Sequence, residues 1–365
     1  MSFCHFSESA NLRYPTVASD PLNRSSTIKI VDDYTHIYDG GRGLSLYTRV
    51  LLHIPYRYQN LFQKGKARLY QLGKWLRNRY RNFLPQKYSP KDIYVRSTNA
   101  DRCLMSAAAA LAGLYRPEKS EVFDPELPWQ PIPVHTMPPE DDEVLSMLKD
   151  CRRYRLALKK SMETHYFKEL RVHYEAFLKY ISERSGAKMA DMRDIAILQA
   201  VLEMYSSYNA SFLPSWCESL NNETLLYLAG VSQERFTLNL ELKRLRTGPF
   251  WANFFAYFDN VINGIDDTPK FVMLSAHDNT VVSLLNSMGA YDFVTPVFGA
   301  TLIWELKQAD GKVWMEIFYK RNQAVPEKLR VRGCDVDCDY MLLKTVMAPV
   351  TVETSLWKEE CGNDI

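Results

Sequence analysis

The sequence predicts an α/β protein with a mixed central sheet that is flanked by helices and interrupted by an inserted helical segment. A predicted strand at residues 92–95 and a short apolar run at 271–274 are each followed by apolar residues at helical spacing, which indicates strand-to-helix units. Strand patterns nearly vanish between residues 140 and 238. Near the carboxyl end two apolar runs flank Gln308-Ala309-Asp310-Gly311, a turn typical of an antiparallel hairpin, so we expect a mixed sheet.

The composition is that of an ordinary globular chain. It has 365 residues, of which 46% are hydrophobic and 24% are charged, and its formal net charge is +2. Basic residues are matched by acidic ones and spread along the chain, which argues against a nucleic-acid-binding surface. No apolar segment approaches the roughly 20 residues needed to span a bilayer. Residues 1–8 have neither a basic nor an apolar signal-peptide region, so no secretory signal is predicted.

The amino-terminal third is predicted to pass from a long loop into a strand and a helix. Residues 16–60 are irregular, and no element is placed in them. From Gly65 apolar residues recur every three or four positions as far as Phe83, which predicts an amphipathic helix that stops before Pro85. The strand at 92–95 follows that helix.

Arg96 stands at the carboxyl end of this strand, directly before the next predicted helix at residues 104–114. An arginine there suits a phosphate or carboxylate, because its guanidinium offers paired donors and stays charged at any working pH. A structural salt bridge is the alternative. The proline-rich stretch at 129–136 is predicted to be an extended connector, in which His135 is more simply a hydrogen-bonded structural residue.

The middle of the chain is predicted to be helical. Apolar residues at 170–181 form one helical face, which ends near Gly186, and those at 195–205 form another. An aromatic helix around Phe250 then leads back to the sheet. We therefore predict an α/β core domain at 1–139 and 239–365, and a helical cap subdomain at 140–238.

His277 and Asp278 follow the buried run at 271–274 and should lie at the carboxyl end of a strand, where open α/β sheets bind ligands. The alternative is that Asp278 only caps the following helix. The sequence lacks a glycine-rich nucleotide loop, a zinc-protease motif, a paired Cys-x-x-Cys set and a Gly-x-Ser-x-Gly elbow. What remains is Arg96, this pair and His5, a set that suits phosphate ester chemistry.

Several motifs occur in one order along the chain: Leu69-Tyr70-Gln71-Leu72-Gly73, Arg77-Asn78-Arg79-Tyr80, Arg96-Ser97-Thr98-Asn99-Ala100-Asp101-Arg102, Met105-Ser106-Ala107, the connector at 129–136, Leu213-Pro214-Ser215-Trp216, Ser275-Ala276-His277-Asp278, and Gly333-Cys334 with Cys338. By these motifs the chain resembles the histidine acid phosphatase family, most closely the animal lysosomal and prostatic type, from about Leu61 to Gly362. Each motif alone is weak, but together and in this order they are specific.

The resemblance implies a phosphoglycerate-mutase-like fold with an inserted helical cap. It implies hydrolysis of small phosphate monoesters through a phosphohistidine intermediate, without a metal or other cofactor. On the matching positions, Arg96 binds phosphate, His277 contacts the transferred group and Asp278 is the general acid.

The resemblance also has implications for the setting of the protein. It implies disulfides between Cys151 and Cys361 and between Cys334 and Cys338, and a secreted or lysosomal location. It further implies glycosylation at the sequons, which begin at Asn23, Asn209 and Asn222. It leaves open whether two copies form a homodimer.

The amino terminus departs from the family pattern, in which the nucleophile lies in Arg-His-Gly-x-Arg-x-Pro at the end of the first central strand. An ungapped alignment from Tyr14-Pro15 places residues 4–10 on this motif, and only the histidine, His5, is retained. His5 is then either the nucleophile or a coincidence, and the strand before it is reduced to Met1-Ser2-Phe3.

In this register Glu8 stands where the family has an arginine. A carboxylate about 4 Å from one phosphate charge would repel it by roughly 4 kcal/mol at an effective dielectric constant of about 20. The sequence therefore leaves two functions open, an acid phosphatase or a catalytically impaired pseudophosphatase that acts as a binding or interaction protein.

Overall fold

A mixed sheet lies at the centre of the computed structural model, which describes residues 26–32, 63–186, 189, 192–208, 213–321 and 325–362. The strands in this part of the chain are β1 (Ser26–Asp32), β2 (Ile93–Ser97), β3 (Phe271–Ala276), β4 (Thr301–Ala309), β5 (Lys312–Lys320), β6 (Glu327–Lys328) and β7 (Asp337–Asp339). Their order is β2-β3-β1-β4-β5-β6, with β7 paired to β5. β1, β2 and β3 are parallel, whereas β4 and the strands beyond it pair antiparallel, so the predicted mixed α/β sheet is confirmed.

Helices flank this sheet, and most of them lie in the sequence between β2 and β3. They are α1 (Gln63–Arg79), α2 (Asp101–Leu114), α3 (Arg152–Met162), α4 (His165–His173), α5 (Glu175–Ser185), α6 (Met192–Tyr208), α7 (Asn222–Glu234), α8 (Leu240–Ile262), α9 (Asp278–Ser287), α10 (Tyr340–Met347) and α11 (Thr354–Glu360). None of the helices in the described part of the chain has the length and apolar character that crossing a bilayer requires.

β1 is the main departure from the sequence prediction, which treated residues 16–60 as a loop. That prediction is wrong over Ser26–Asp32, which form a strand between β3 and β4. Ile28 pairs with Val272 on one side and with Trp304 on the other. The alternation of Ile28 and Ile30 with Thr27 and Lys29 fits a strand, but it is too short to identify one without the strands that pair with it. The sequence placed a remnant of a central strand at residues 1–3, which lie outside the described residues, whereas β1 holds a central position in the sheet.

β3 is buried along its whole length because helices cover both faces of the sheet. Phe271 and Met273 pack in one hydrophobic cluster with residues of α1 and α2. The alternate residues Val272, Leu274 and Ala276 pack in a second cluster with the aromatic face of α8. Opposite faces of one strand thus belong to two different cores, which explains the continuous apolar run in its sequence.

The helical segment has an apolar cluster of its own. Its buried members come from α4 to α7 and the loops between them: Phe167, Leu170, Ile181, Ile195, Leu220, Leu225, Leu228 and Val231. No β-strand occurs among the described residues of 140–238. The division into a core at 1–139 and 239–365 and a cap at 140–238 stays a prediction.

Helices α1 and α2 cross closely at two glycines. A Cβ atom added to Gly73 would lie 1.9 Å from the Ala110 carbonyl oxygen, and one added to Gly113 would lie 2.1 Å from the Tyr70 carbonyl oxygen. Both neighbours are backbone atoms, so they cannot move aside as a side chain would.

Gly73→Ala is therefore expected to destabilise the fold, because the methyl group must push the two helices apart. We expect a loss of about 1–3 kcal/mol in the free energy of unfolding, measured by urea denaturation. The exposed neighbour Lys74 provides a matched control, since Lys74→Ala should change stability by no more than about 0.5 kcal/mol. If Gly73→Ala leaves the urea midpoint unchanged, the close packing of α1 against α2 at Gly73 would be contradicted.

Both disulfides implied by the resemblance form in the structure. Cys151 bonds to Cys361 with a Cα–Cα distance of 4.7 Å, and Cys334 bonds to Cys338 with a Cα–Cα distance of 5.5 Å. Cys151 and Cys361 are 210 residues apart in the sequence, so this disulfide ties α3 to the carboxyl end of the described chain. Among the sequons, Asn222 is exposed at the start of α7, while Asn23 and Asn209 lie outside the described residues. Glycosylation stays a prediction.

Candidate active site

The carboxyl ends of β2 and β3 lie side by side and are joined to the start of α2. The Thr98 N–H donates to the Ser275 carbonyl oxygen at 3.0 Å, which holds the two strand ends together. The Ser275 hydroxyl donates to the Cys103 carbonyl oxygen at 2.8 Å, which fixes the first turn of α2 against β3. The residue that follows β3, His277, is thereby placed against the start of α2.

His277 is buried at this junction, with 4% of its surface exposed. Its Nδ1 atom lies 3.3 Å from a terminal guanidinium nitrogen of Arg102 and 3.7 Å from the Sγ of Cys103. The Cys103 thiol also donates to the Ala276 carbonyl oxygen at 3.4 Å. His277 therefore lies at the end of β3, as the sequence predicts, with a buried arginine beside its ring.

Asp278 is the first residue of α9 and is also buried. Its carboxylate accepts a hydrogen bond from the Gln233 side chain at 2.7 Å. Burial raises the pKa of Asp278 to about 6, although the Asn279 N–H, Arg102, Gln233 and Arg246 all favour the charged form. The N-cap position of α9 belongs to His277. Asp278 therefore does not occupy the capping position that the sequence offered as its alternative role.

Arg96 lies at the end of β2 and forms a salt bridge with Asp142. Asp142 is fully buried, and its two carboxylate oxygens accept hydrogen bonds from the backbone N–H groups of Leu145 at 2.8 Å and Ser146 at 3.1 Å. The salt bridge is the alternative role that the sequence left open for Arg96. Its phosphate-binding role stays a prediction.

His135 in the connector has structural contacts, as expected. Its backbone exchanges hydrogen bonds with the edge of β2, from the His135 N–H to the Val95 oxygen at 2.9 Å and from the Ser97 N–H to the His135 oxygen at 2.8 Å. Its ring stacks on Tyr94 with centroids 5.1 Å apart. The connector thus extends the sheet beside Arg96.

Two further arginines make the surroundings of Asp278 positive. Arg102 and Arg246 both act on its carboxyl group electrostatically, and both are at least nine-tenths buried. The Arg246 Nε donates to the Ser283 hydroxyl at 2.8 Å, and its guanidinium lies 4.6 Å from the centre of the Phe236 ring. Neither arginine forms an ion pair with a carboxylate in the part of the chain that the structure describes. This interior favours an anion.

The structure thus brings together three of the four predicted catalytic or phosphate-binding residues, His277, Asp278 and, on the adjacent strand end, Arg96. The fourth, His5, lies outside the described residues. The described residues contain no group of three or more His, Cys, Asp or Glu side chains that could hold a metal ion.

Two residues of the site were missed. Arg102 ends the motif that begins at Arg96, so its spacing was visible, but no role was assigned to it. Gln233 comes from α7, 45 residues before Asp278 in the sequence, and no local pattern could have indicated this contact.

Comparisons with known proteins identify the family of the chain. A family model described as the histidine phosphatase superfamily (branch 2) matches residues 26–323 of the chain, from the first residue of β1 onward. The chain belongs to this superfamily. Its membership makes it a phosphatase by descent.

Curated relatives of this histidine phosphatase include two acid phosphatases. Prostatic acid phosphatase of Bos taurus is 30% identical over 319 residues, which cover 84% of this chain and 80% of that protein. Lysosomal acid phosphatase of Xenopus laevis is 30% identical over 322 residues, which cover 84% of this chain and 72% of that protein.

Solved structures share the fold at lower sequence identity. The phytase of Hafnia alvei in complex with tartrate superposes with a TM-score of 0.65 at 12% identity and covers 92% of this chain and 98% of its own. The phytase of Citrobacter braakii superposes with a TM-score of 0.62, also at 12% identity, with the same two coverages of 92% and 98%. The predicted fold is therefore confirmed.

Proposed function

We propose that this histidine phosphatase hydrolyses small phosphate monoesters through a phosphohistidine intermediate, as an acid phosphatase. The observation that carries the proposal is the environment of Asp278. A buried carboxyl group with a pKa of about 6 stands beside a buried histidine and two buried arginines at the end of a parallel strand. At pH 5 about nine-tenths of such a group holds its proton, so it can act as an acid.

In the first step a histidine nitrogen attacks the phosphorus atom. The bond from phosphorus to the leaving oxygen breaks, and Asp278 gives its proton to that oxygen. His277 and Arg96 stabilise the charge on the phosphoryl oxygens. For Arg96 this requires that its guanidinium reach the phosphate while it remains near Asp142.

In the second step a water molecule attacks the phosphorus atom of the phosphohistidine. The Asp278 carboxylate takes a proton from that water, the phosphorus–nitrogen bond breaks, and inorganic phosphate leaves. The carboxyl group of Asp278 is then protonated again, and the histidine nitrogen regains its lone pair. No other reactant is required.

The nucleophile in this scheme is the His5 imidazole. His5 lies before the region that the family model matches, and the motif around it retains neither arginine of the family pattern. This supports the second candidate, a pseudophosphatase that binds a phosphorylated ligand or a partner without turning it over. The two candidates differ in whether a phosphoryl group is ever attached to the protein.

A trapping experiment separates the two candidates. The full chain is mixed with an aryl phosphate at mildly acid pH, quenched in alkali, in which phosphohistidine survives, and mapped by mass spectrometry. We expect a phosphoryl group on His5, lost in His5→Ala and kept in His173→Ala, where an exposed histidine is removed.

Other outcomes of this experiment are equally informative. A phosphoryl group on His36, which follows β1 by four residues in the sequence, would move the nucleophile to that position. If no histidine carries a phosphoryl group but the protein binds inorganic phosphate measurably, the acid phosphatase proposal is rejected and the pseudophosphatase is supported.

The same comparisons support a proposal about the location of the protein. The relatives are named lysosomal and prostatic acid phosphatases, and two disulfides form in the described structure. Disulfides persist in oxidising compartments. We therefore assign the chain to a secreted or lysosomal location, and we leave a homodimer to a measurement of mass in solution.

A further inference from the structure

Arg102 and His277 make a contact that the phosphatase mechanism does not by itself require. A terminal guanidinium nitrogen of Arg102 lies 3.3 Å from Nδ1 of His277, and the two residues are 7% and 4% exposed. Arg102 is the second residue of α2, whereas His277 follows β3, so the contact joins two elements that are far apart in the sequence.

This contact constrains the proton on the imidazole ring. A guanidinium group has five N–H donors and no acceptor, and it keeps its charge at all pH values at which the protein is folded. It can therefore hydrogen-bond to Nδ1 only if that nitrogen keeps its lone pair. A neutral imidazole that accepts at Nδ1 must carry its proton on Nε2.

Cys103 also lies beside Nδ1 of His277. Its thiol lies 3.7 Å from the same Nδ1 atom and 3.4 Å from the Ala276 carbonyl oxygen. The thiol has a single hydrogen, which it donates to the Ala276 carbonyl oxygen, so the tautomer is decided by the contact between Nδ1 and Arg102. A second proton on the ring would also place an imidazolium against the guanidinium, and two like charges in a buried site repel each other strongly.

The guanidinium of Arg102 acts electrostatically on the Asp278 carboxyl group without forming an ion pair with it. Its Nε atom has no hydrogen-bond partner, and no carboxylate forms an ion pair with it among the residues that the structure describes. A buried charged donor acts strongly on the groups that it touches. His277 is one of those groups.

We propose that Arg102 is a positioning residue that holds His277 neutral with its proton on Nε2, so that His277 donates a hydrogen bond to a phosphoryl oxygen. The hydrogen bond to a phosphoryl oxygen rests on the proposed function, whereas the tautomer does not. In this arrangement His277 is a fixed donor, and the nucleophile must be another histidine.

The test is the state of the His277 ring in the full chain. Histidine labelled with nitrogen-15 is incorporated, the ring nitrogens are observed by long-range proton–nitrogen correlation, and His277→Gln assigns the signals. We expect the Nε2 signal at the pyrrole-type shift and the Nδ1 signal at the pyridine-type shift. A pyrrole-type Nδ1, or two protonated nitrogens, in the unaltered protein would overturn the proposal without any variant.

Variants at Arg102 test the cause of this tautomer. Arg102→Lys keeps a charged donor and should keep the pyridine-type Nδ1, whereas Arg102→Met should move both ring signals of His277. Arg96→Met is the matched control for this spectrum, because that arginine pairs with Asp142 and not with the imidazole. Circular dichroism establishes that each variant is folded. Unchanged His277 signals in folded Arg102→Met would overturn the role of Arg102.

Inorganic phosphate separates this proposal from the proposed function. Added phosphate should shift the Nε2 signal of His277 in the unaltered protein, and the shift should be lost in Arg102→Met. A phosphate-insensitive Nε2 signal with the expected tautomer would overturn the phosphoryl contact and still support the role of Arg102 in fixing the tautomer.

Discussion

Asparagine in place of Asp278 is expected to lower the turnover of an alkyl phosphate by about 10²–10⁴-fold, because an alkoxide leaves slowly without a proton donor. Turnover of an aryl phosphate with an acidic phenol should fall much less, since its phenolate leaves without a proton. The measurement is kcat at pH 5 for a series of leaving groups. Its dependence on leaving-group pKa should become steep in the variant.

The pH dependence provides a second measurement on the same variant. The pKa of Asp278 is raised to about 6, mainly by burial, so the carboxyl group is protonated below that pH. The rate of the first step should fall as the pH rises through about 6, and this fall should be absent in Asp278→Asn. Asp266→Asn, at an exposed turn before β3, is the control and should leave both profiles unchanged. An equal loss for every leaving group would mean that Asp278 orients the substrate and does not donate the proton.

Glutamine in place of Glu305 is expected to cost about 3 kcal/mol in the free energy of unfolding at pH 7. Burial alone would raise the pKa of this carboxyl group on β4, but Lys307, Arg79 and Tyr80 outweigh burial and hold it at about 2. Arg79 lies 2.8 Å and Lys307 lies 3.0 Å from its oxygens, and the Tyr80 hydroxyl donates to it as well.

The sign of the pH effect follows from the direction of this shift. A depressed pKa adds stability above the unfolded value of about 4.5, and this contribution is lost as the pH falls toward 2. The difference between the unaltered protein and Glu305→Gln should therefore be full at pH 7 and shrink steadily below pH 4.5 in urea denaturation. Glu241→Gln is the control, because its ion pair with Arg153 is largely exposed and should contribute less than about 1 kcal/mol. A difference that does not depend on pH would show that Glu305 acts through packing alone.

The parts of the site that could be predicted from the sequence are those that local patterns determine. The continuous apolar run of β3 predicted a strand buried on both faces, and the position of His277 and Asp278 followed from its end. The hairpin of β4 and β5 followed from its turn residues. These features depend on neighbours in the sequence, so a single sequence contains them.

The parts that were missed depend on tertiary packing. β1 has only Ile28, Ile30 and Val31 as apolar residues, and it is a strand because β3 and β4 pair with it on both sides. The Gln233 to Asp278 hydrogen bond and the Arg96 to Asp142 salt bridge each span about 45 residues of sequence. The raised pKa of Asp278 comes from burial, which a linear pattern does not measure. Such contacts follow from the whole fold.

The sharing of β3 between two hydrophobic cores has a consequence for how this protein can change over evolutionary time. A substitution in the strand that precedes His277 and Asp278 alters the packing on both sides of the sheet at once, so stability constrains this strand tightly. The helix that carries Gln233 packs in the separate apolar cluster of the helical segment, and it reaches the same carboxylate through one hydrogen bond. Mutations in that segment can therefore change the surroundings of the Asp278 carboxylate without disturbing the two cores that hold β3.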